Sequence, residues 1–335
     1  MRICYVHLGL PKTGSTSIQS HFDGFDDCGI KYAPYSSSNH EMLIGCTFAA
    51  QPERLPQFRR REASAPTVKA RVLKAKTHWR LAMMMKESII LSAEAVPDQL
   101  FPEEINRFYR ELESNFDEVR TRVYVRPLSS LVASQFQQRI KMGGGEFRLP
   151  PPNYRKRIEP VLEAAPHQSV NFRKFDRDTL EGGDVVVDFA RWLKLTPSAT
   201  SRVLSRNSKR NTSLTSESVG AIYAFNKYIG PTLGPKQHFA LLKKLLRNFA
   251  DFGETKFGLS LDLVSAHMEK HRADVEWAER ICGFDLSGDA GAVQGAISSE
   301  NDLLSAAAEL ARTNWSRFQE SKSMGQANRF RKDMK

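Results

Sequence analysis

The opening of the chain constrains the fold more than any other stretch. Ile3-Cys4-Tyr5-Val6 is short, apolar and partly β-branched, the pattern of a buried strand. Ile18-Gln19-Ser20-His21-Phe22 continues as a helix. Between them, within His7 to Ser20 (HLGLPKTGSTSIQS), lies a turn with Pro11, Gly14 and the hydroxyl residues Thr13, Ser15, Thr16 and Ser17. A strand, a glycine-containing turn and a helix start make an anion site, because unpaired backbone N–H groups and the positive end of the helix dipole converge on one spot. Lys12 adds a full charge, and the hydroxyls add donors.

The stretch differs from the Walker A loop, G-x-x-x-x-G-K-[ST], in which the lysine follows the second glycine. Here Lys12 precedes Gly14, so it belongs at the front of the loop rather than in the first helical turn. P-K-T-G-S-T resembles instead the P-K-[TS]-G-[TS]-[TS] loop of sulfotransferases that use 3′-phosphoadenylyl sulfate (PAPS), bacterial members in particular. That resemblance implies an α/β, P-loop NTPase-like three-layer fold with a central parallel sheet and a helical C-terminal part. It also implies that Lys12, Thr13, Gly14, Ser15, Thr16 and Ser17 hold the donor's 5′-phosphosulfate, with Lys12 stabilising the leaving phosphate.

The residues alone point to the same fold class. Ile30 to Pro34, Ser88 to Ser92, Thr121 to Val125 and Ser169 to Arg173 read as further strands, with helices expected over 41–48, 103–115, 128–142 and 184–195. Residues 155–166 read as helix or loop. Strands alternating with helices argue for a parallel sheet covered on both faces. Beyond residue 200 the strand signals fade, and helices are expected near 215–229, 236–251, 262–281 and 300–320. The expected organisation is a domain over 1–285 with a basic helical insertion at 54–86, then a helical extension and mobile basic tail over 286–335.

The net charge of +11 points to anionic ligands, an acidic polymer, nucleic acid or a membrane surface without choosing among them. Cys4, Cys28, Cys46 and Cys282 have neither zinc-knuckle nor redox-pair spacing and read as free thiols of a reducing compartment. No apolar stretch is long enough to span a bilayer and residues 1–10 form no secretory signal, so a cytoplasmic location is expected, with peripheral membrane contact left open.

Arg126 ends the 121–125 strand, where a Walker-type enzyme commonly carries a magnesium-binding aspartate. A guanidinium cannot ligate a metal, but its planar fork suits phosphate oxygens. Ser134 follows eight residues later. The resemblance assigns Arg126 and Ser134 to the donor's 3′-phosphate, although relatives often place one more residue before the proline that here is Pro127. No metal is expected.

By analogy with phosphoryl transfer, sulfuryl transfer is mostly positioning and charge stabilisation. A general base adds about 10²–10⁴-fold. Glu94, after the second strand on the same sheet edge, is the first candidate; His40, after Asn39 in a loop, is the second. The family uses Glu or His in this role. His7, at the first strand's end, is a weaker candidate for touching substrate. Arg206 and Arg210-Asn211-Thr212-Ser213 resemble the family's R-x-N-x-S region, and His271 to Gly283 its closing helix.

The expected reaction is transfer to a hydroxyl or amine of a carbohydrate, lipid or small molecule, possibly an anionic one given the basic 54–80 segment. Two other readings compete. A P-loop small-molecule kinase would need magnesium and ATP; the position of Lys12 and the absence of a strand-end aspartate count against it. A non-enzymatic nucleic-acid-binding module would use the +11 charge, but no aromatic-rich RNA motif or DNA-reading helix supports it, and no nucleic-acid partner is expected.

Overall fold

Apolar residues fill β1 (Ile3–Gly9), which is buried along its whole length and lies inside a six-stranded sheet. The other strands are β2 (Asp26–Asp27), β3 (Ile30–Tyr32), β4 (Ser88–Ala93), β5 (Glu118–Val125) and β6 (Val170–Lys174), in the order β2-β3-β4-β1-β5-β6. All pairings are parallel except β2 with β3. The two-residue β2 is acidic and carries no apolar pattern, so the sequence offers no sign of this antiparallel edge. The computed structural model describes residues 1–59, 62–94, 96–206, 214–249, 252–287 and 296–308. Arg60, Arg61, Arg210 to Ser213, most of the expected 286–335 extension and the tail from Arg329 lie outside them.

In chain order the helices are α1 (Ser15–Phe22), α2 (Glu41–Phe48), α3 (Pro56–Arg59), α4 (Ala65–Met83), α5 (Val96–Gln99), α6 (Pro102–Asn115) and α7 (Leu128–Lys141). There follow α8 (Tyr154–Ala164), α9 (Val185–Trp192), α10 (Pro197–Leu204), α11 (Ser216–Ala224), α12 (Pro235–Asn248), α13 (Leu261–Lys270) and α14 (Arg272–Cys282). The helix expected over 262–281 is thus interrupted at His271, which leaves helical geometry. The one expected over 215–229 passes into a wider π turn at Phe225–Ile229.

The chain forms two compact units. One contains Met1–Pro127, Asn153–Arg210 and Ala273–Leu286, and with them the whole sheet. Within it the layers follow from the alternation of side chains along each strand. Tyr5 and Tyr124 face α1, α9 and α10, where Ile18, Phe22, Val186, Phe189 and Val203 fill the core. Leu8 and Val123 face the other way, toward Ile158 and Val161 of α8, and α2, α4, α5 and α6 cover that side. The second unit, Leu128–Pro152, Asn211–Arg272 and Ser287–Lys335, is helical in its described residues. There Asn226 donates to the carbonyls of Ile140 and Gly144, and Phe136 stacks on Phe257.

Candidate functional site

Because β4, β1 and β5 are parallel neighbours, the residues that follow them emerge on one sheet edge. Leu8 pairs with Ala93 and Gly9 with Tyr124, which brings Glu94, the Leu10–Gly14 turn and Arg126 side by side. Within the turn, Lys12 (φ 67°) and Gly14 (φ 76°) are both left-handed. Glycine adopts this freely, whereas a lysine held there costs about 1 kcal/mol or more and must be restrained by its surroundings. The restraint is Arg126, whose Nη1 donates to the Lys12 carbonyl at 2.9 Å. Arg126 in turn lies 5.5 Å from the centre of the Phe175 ring, and its own carbonyl accepts the Tyr154 hydroxyl at 2.6 Å. Tyr154 opens α8, and Asp274 of α14 accepts from the backbone N–H groups of Tyr154 and Arg155 at 2.9 and 2.8 Å.

α1 starts directly from the turn. Gly14 supplies the first carbonyl, accepting from Ser17 and Ile18, while the N–H groups of Ser15 and Thr16 have no acceptor among the described residues. The Ser15 hydroxyl is buried and also lacks a partner. A Cβ on Gly9 would lie 1.9 Å from Ser15 Oγ, so only glycine lets the helix start approach the strand this closely. Thr13 is different. Its hydroxyl donates to the Leu10 carbonyl at 2.7 Å, which makes it a brace within the turn.

Lys12 is partly buried, and among the described residues no carboxylate lies within salt-bridge distance of it. Burial and the neighbouring Arg126 charge push its pKa below the ordinary lysine value, with Glu94 acting in the opposite direction. Glu94 is shifted upward, by burial and then by the Glu41 carboxylate, against the lowering influence of Lys12 and the Thr16 hydroxyl. Glu41 accepts from the side chains of Asn39, Gln57 and Gln99. This polar group beside Glu94 has no signal in the sequence, because its members come from three separate segments.

His40, His7 and Arg206 fall elsewhere. His40 is fully buried: Nε2 pairs with the Ala33 carbonyl at 2.9 Å, and Nδ1 accepts the Ser92 N–H at 3.0 Å. Burial lowers its pKa to about 4, so it is neutral, and neither ring nitrogen is left to take a substrate proton. His7 is also fully buried, with Nδ1 2.8 Å from Ser92 Oγ and its ring packed against Tyr124 and Phe189. Arg206 donates to the carbonyls of His21 and Asp23, at the C-terminal end of α1 and away from the turn that opens it. Ser134 is half-buried on α7 and belongs to the second unit. Arg210 to Ser213 lie outside the described residues.

Three solved structures are similar to this chain in fold. The sulfotransferase from Alicyclobacillus acidocaldarius is 12% identical, with a TM-score of 0.46 over 86% of this chain and 98% of that one. The sulfotransferase domain from the curacin biosynthetic pathway is 13% identical, with a TM-score of 0.36 over 63% and 79%. The sulfotransferase domain from the Synechococcus PCC 7002 olefin synthase is 14% identical, with a TM-score of 0.35 over 76% and 96%. No family model matches the sequence, and no curated protein matches it. Among the described residues no helix is long and apolar enough to cross a membrane, and no His, Cys, Asp and Glu cluster could hold a metal ion.

Proposed function

We propose that the chain is a PAPS-dependent sulfotransferase that moves a sulfuryl group to a hydroxyl or amine acceptor. The observation that carries this reading is the convergence of Lys12, Glu94 and the open start of α1 on one sheet edge. The residues fit an anionic donor. The buried, unpartnered Ser15 hydroxyl and the Ser15 and Thr16 N–H groups are donors waiting for an acceptor, as expected of a phosphate-holding helix start. PAPS, when bound, supplies the transferable sulfuryl group and a phosphate leaving group.

The chain's own residues divide the remaining work. Lys12 holds positive charge where negative charge grows on the leaving phosphate oxygen. Glu94 takes the proton of the acceptor O–H or N–H as the new bond to sulfur forms, and its raised pKa brings it nearer to neutrality, where a base is most effective. Arg126 fixes the Lys12 backbone and adds positive charge beside the 3′-phosphate end of the donor. With Glu41 and Glu94 both on the acceptor side, a neutral or cationic acceptor such as a carbohydrate hydroxyl or an amine is favoured over an anionic one.

Calorimetric titration with adenosine 3′,5′-bisphosphate tests the donor site. Binding by the parent chain that weakens strongly in Lys12→Ala supports the reading, and no binding by a folded parent chain removes it. Labelled-sulfate transfer to glycan, lipid and small-molecule pools then identifies the acceptor.

A further inference from the structure

A second cationic site lies on the helix layer formed by α2, α4 and α6. Lys76 and Arg80 are one turn apart on α4, and Arg107 and Arg110 are one turn apart on α6, so each pair shares a helix face. All four line one cavity of about 580 Å³, together with Thr47 and Phe48 at the end of α2, Trp79, Glu111, Ser114 and Asn115. Among the described residues of that lining Glu111 is the one acidic residue, and its Oε1 accepts the Trp79 Nε1–H at 2.8 Å. Arg107 donates to the Phe48 carbonyl at 2.7 Å. Among the described residues none of the four cations is within salt-bridge distance of a carboxylate. Four cations around a single carboxylate leave the lining net positive, which an anionic ligand would complement.

This cavity is separate from the Lys12 site. Arg2, just before β1, donates to the carbonyls of Met83 and Asn115, which end α4 and α6. Those ends therefore meet the start of β1, whereas Lys12 and Glu94 follow the ends of β1 and β4, a strand length of about 20 Å away.

We propose that the cavity binds a soluble small molecule bearing two or more phosphate or sulfate groups. Its volume is in the range of small-ligand sites. Three guanidinium forks and an ammonium exceed what a single anion needs. Trp79 and Phe48 are buried and meet edge to face, so neither ring of this lining offers an exposed platform to nucleic-acid bases, which disfavours a strand of RNA or DNA. The inference stands independently of the transfer reaction proposed above.

The test is calorimetry of the full chain with pyrophosphate at fixed ionic strength, with inorganic phosphate as the single-anion control. It is run on the Lys12→Ala variant, which isolates this cavity from the loop, with and without Arg80→Ser and Arg110→Ser. Both arginines are exposed, so circular dichroism should show an unchanged fold. Lys12→Ala should still bind pyrophosphate, more tightly than phosphate. Adding Arg80→Ser and Arg110→Ser should weaken that binding about 10-fold or more, with partial recovery in the corresponding lysine variants. Loss of all pyrophosphate binding in Lys12→Ala alone overturns the proposal. So does binding indifferent to Arg80 and Arg110, or an arginine-dependent affinity for a single-stranded oligonucleotide without any for pyrophosphate.

Discussion

Arg126 and Lys12 are joined through the backbone: the guanidinium of one holds the carbonyl of the other at 2.9 Å, across 114 residues of chain. The bond locks a non-glycine residue at φ 67° and so aims the Lys12 side chain. Replacing Arg126 should loosen the turn before it disturbs the sheet. Arg126→Ala should raise the dissociation constant for adenosine 3′,5′-bisphosphate by about 10-fold or more, in line with the loss of a hydrogen bond to a charged group. Arg126→Lys should recover only part of it, since an ammonium lacks the planar fork. Calorimetry on the two variants checks this.

Glu94→Gln should separate activity from stability. As the proposed base, its loss should lower the transfer rate by about 10²–10⁴-fold. The folded carboxyl has a pKa above its unfolded value, so the protonated form is the one that folding favours. The sign follows: the contribution to stability is fully present below the ordinary carboxylate pKa and is lost as pH rises through the folded value. A neutral glutamine avoids that loss, so the variant should melt higher than the parent chain at neutral pH, with the gap closing in acid. Melting curves across pH, beside rate measurements, test both halves.

His40 should matter to folding and leave the pH profile of transfer alone. Its ring bridges the Ala33 carbonyl and the Ser92 N–H, so His40→Ala leaves two buried backbone groups unpaired and opens a cavity. A loss of about 3 kcal/mol in urea unfolding is expected. The parent chain should also lose stability as pH falls from the ordinary histidine value of 6.5 toward the folded value of about 4, because only the unfolded chain takes the proton readily. His7, lowered by burial and by Arg122 to about 3, adds to the same slope. A shift in the pH dependence of transfer in a His40→Gln variant would contradict this assignment.

Gly9→Ala should be severe for so small a change. The new methyl group would meet Ser15 Oγ at 1.9 Å and Glu94 Cγ at 3.3 Å. Either α1 retreats from the strand or Glu94 moves. Overpacking of this kind costs about 1–3 kcal/mol, and bisphosphate binding should fall with it. Pairing Gly9→Ala with Ser15→Gly removes the closest contact and should restore stability more than binding.

The elements that carry the site were legible because they are local. The apolar run at Ile3 to Val6, the Pro11–Gly14 turn and the strand ending at Arg126 show themselves in contiguous residues, and the parallel sheet follows from strands alternating with helices. What the sequence could not display are relations between distant segments. Asn39, Gln57 and Gln99 meet at Glu41, and Asp274 reaches the start of α8, without any shared spacing. Nor could spacing reveal that His40 would be enclosed. A histidine after an asparagine in a Ser-rich loop looks solvent-facing until Tyr32 packs against it at 4.6 Å. Arg206 resembles part of the family's R-x-N-x-S region by its neighbours, and only the course of α1 places it at that helix's opposite end.

Asp274 ties the start of α8 to a much later part of the chain. Tyr154 holds the Arg126 carbonyl from the first turn of α8, and that turn is capped by a carboxylate 120 residues downstream. During synthesis the sheet residues emerge from the ribosome first, and the cap for α8 arrives only with residue 274. A fragment ending before that point should retain a sheet yet hold its Lys12 turn poorly. Completion of the edge that carries Lys12 and Arg126 is therefore expected late in the synthesis of the chain.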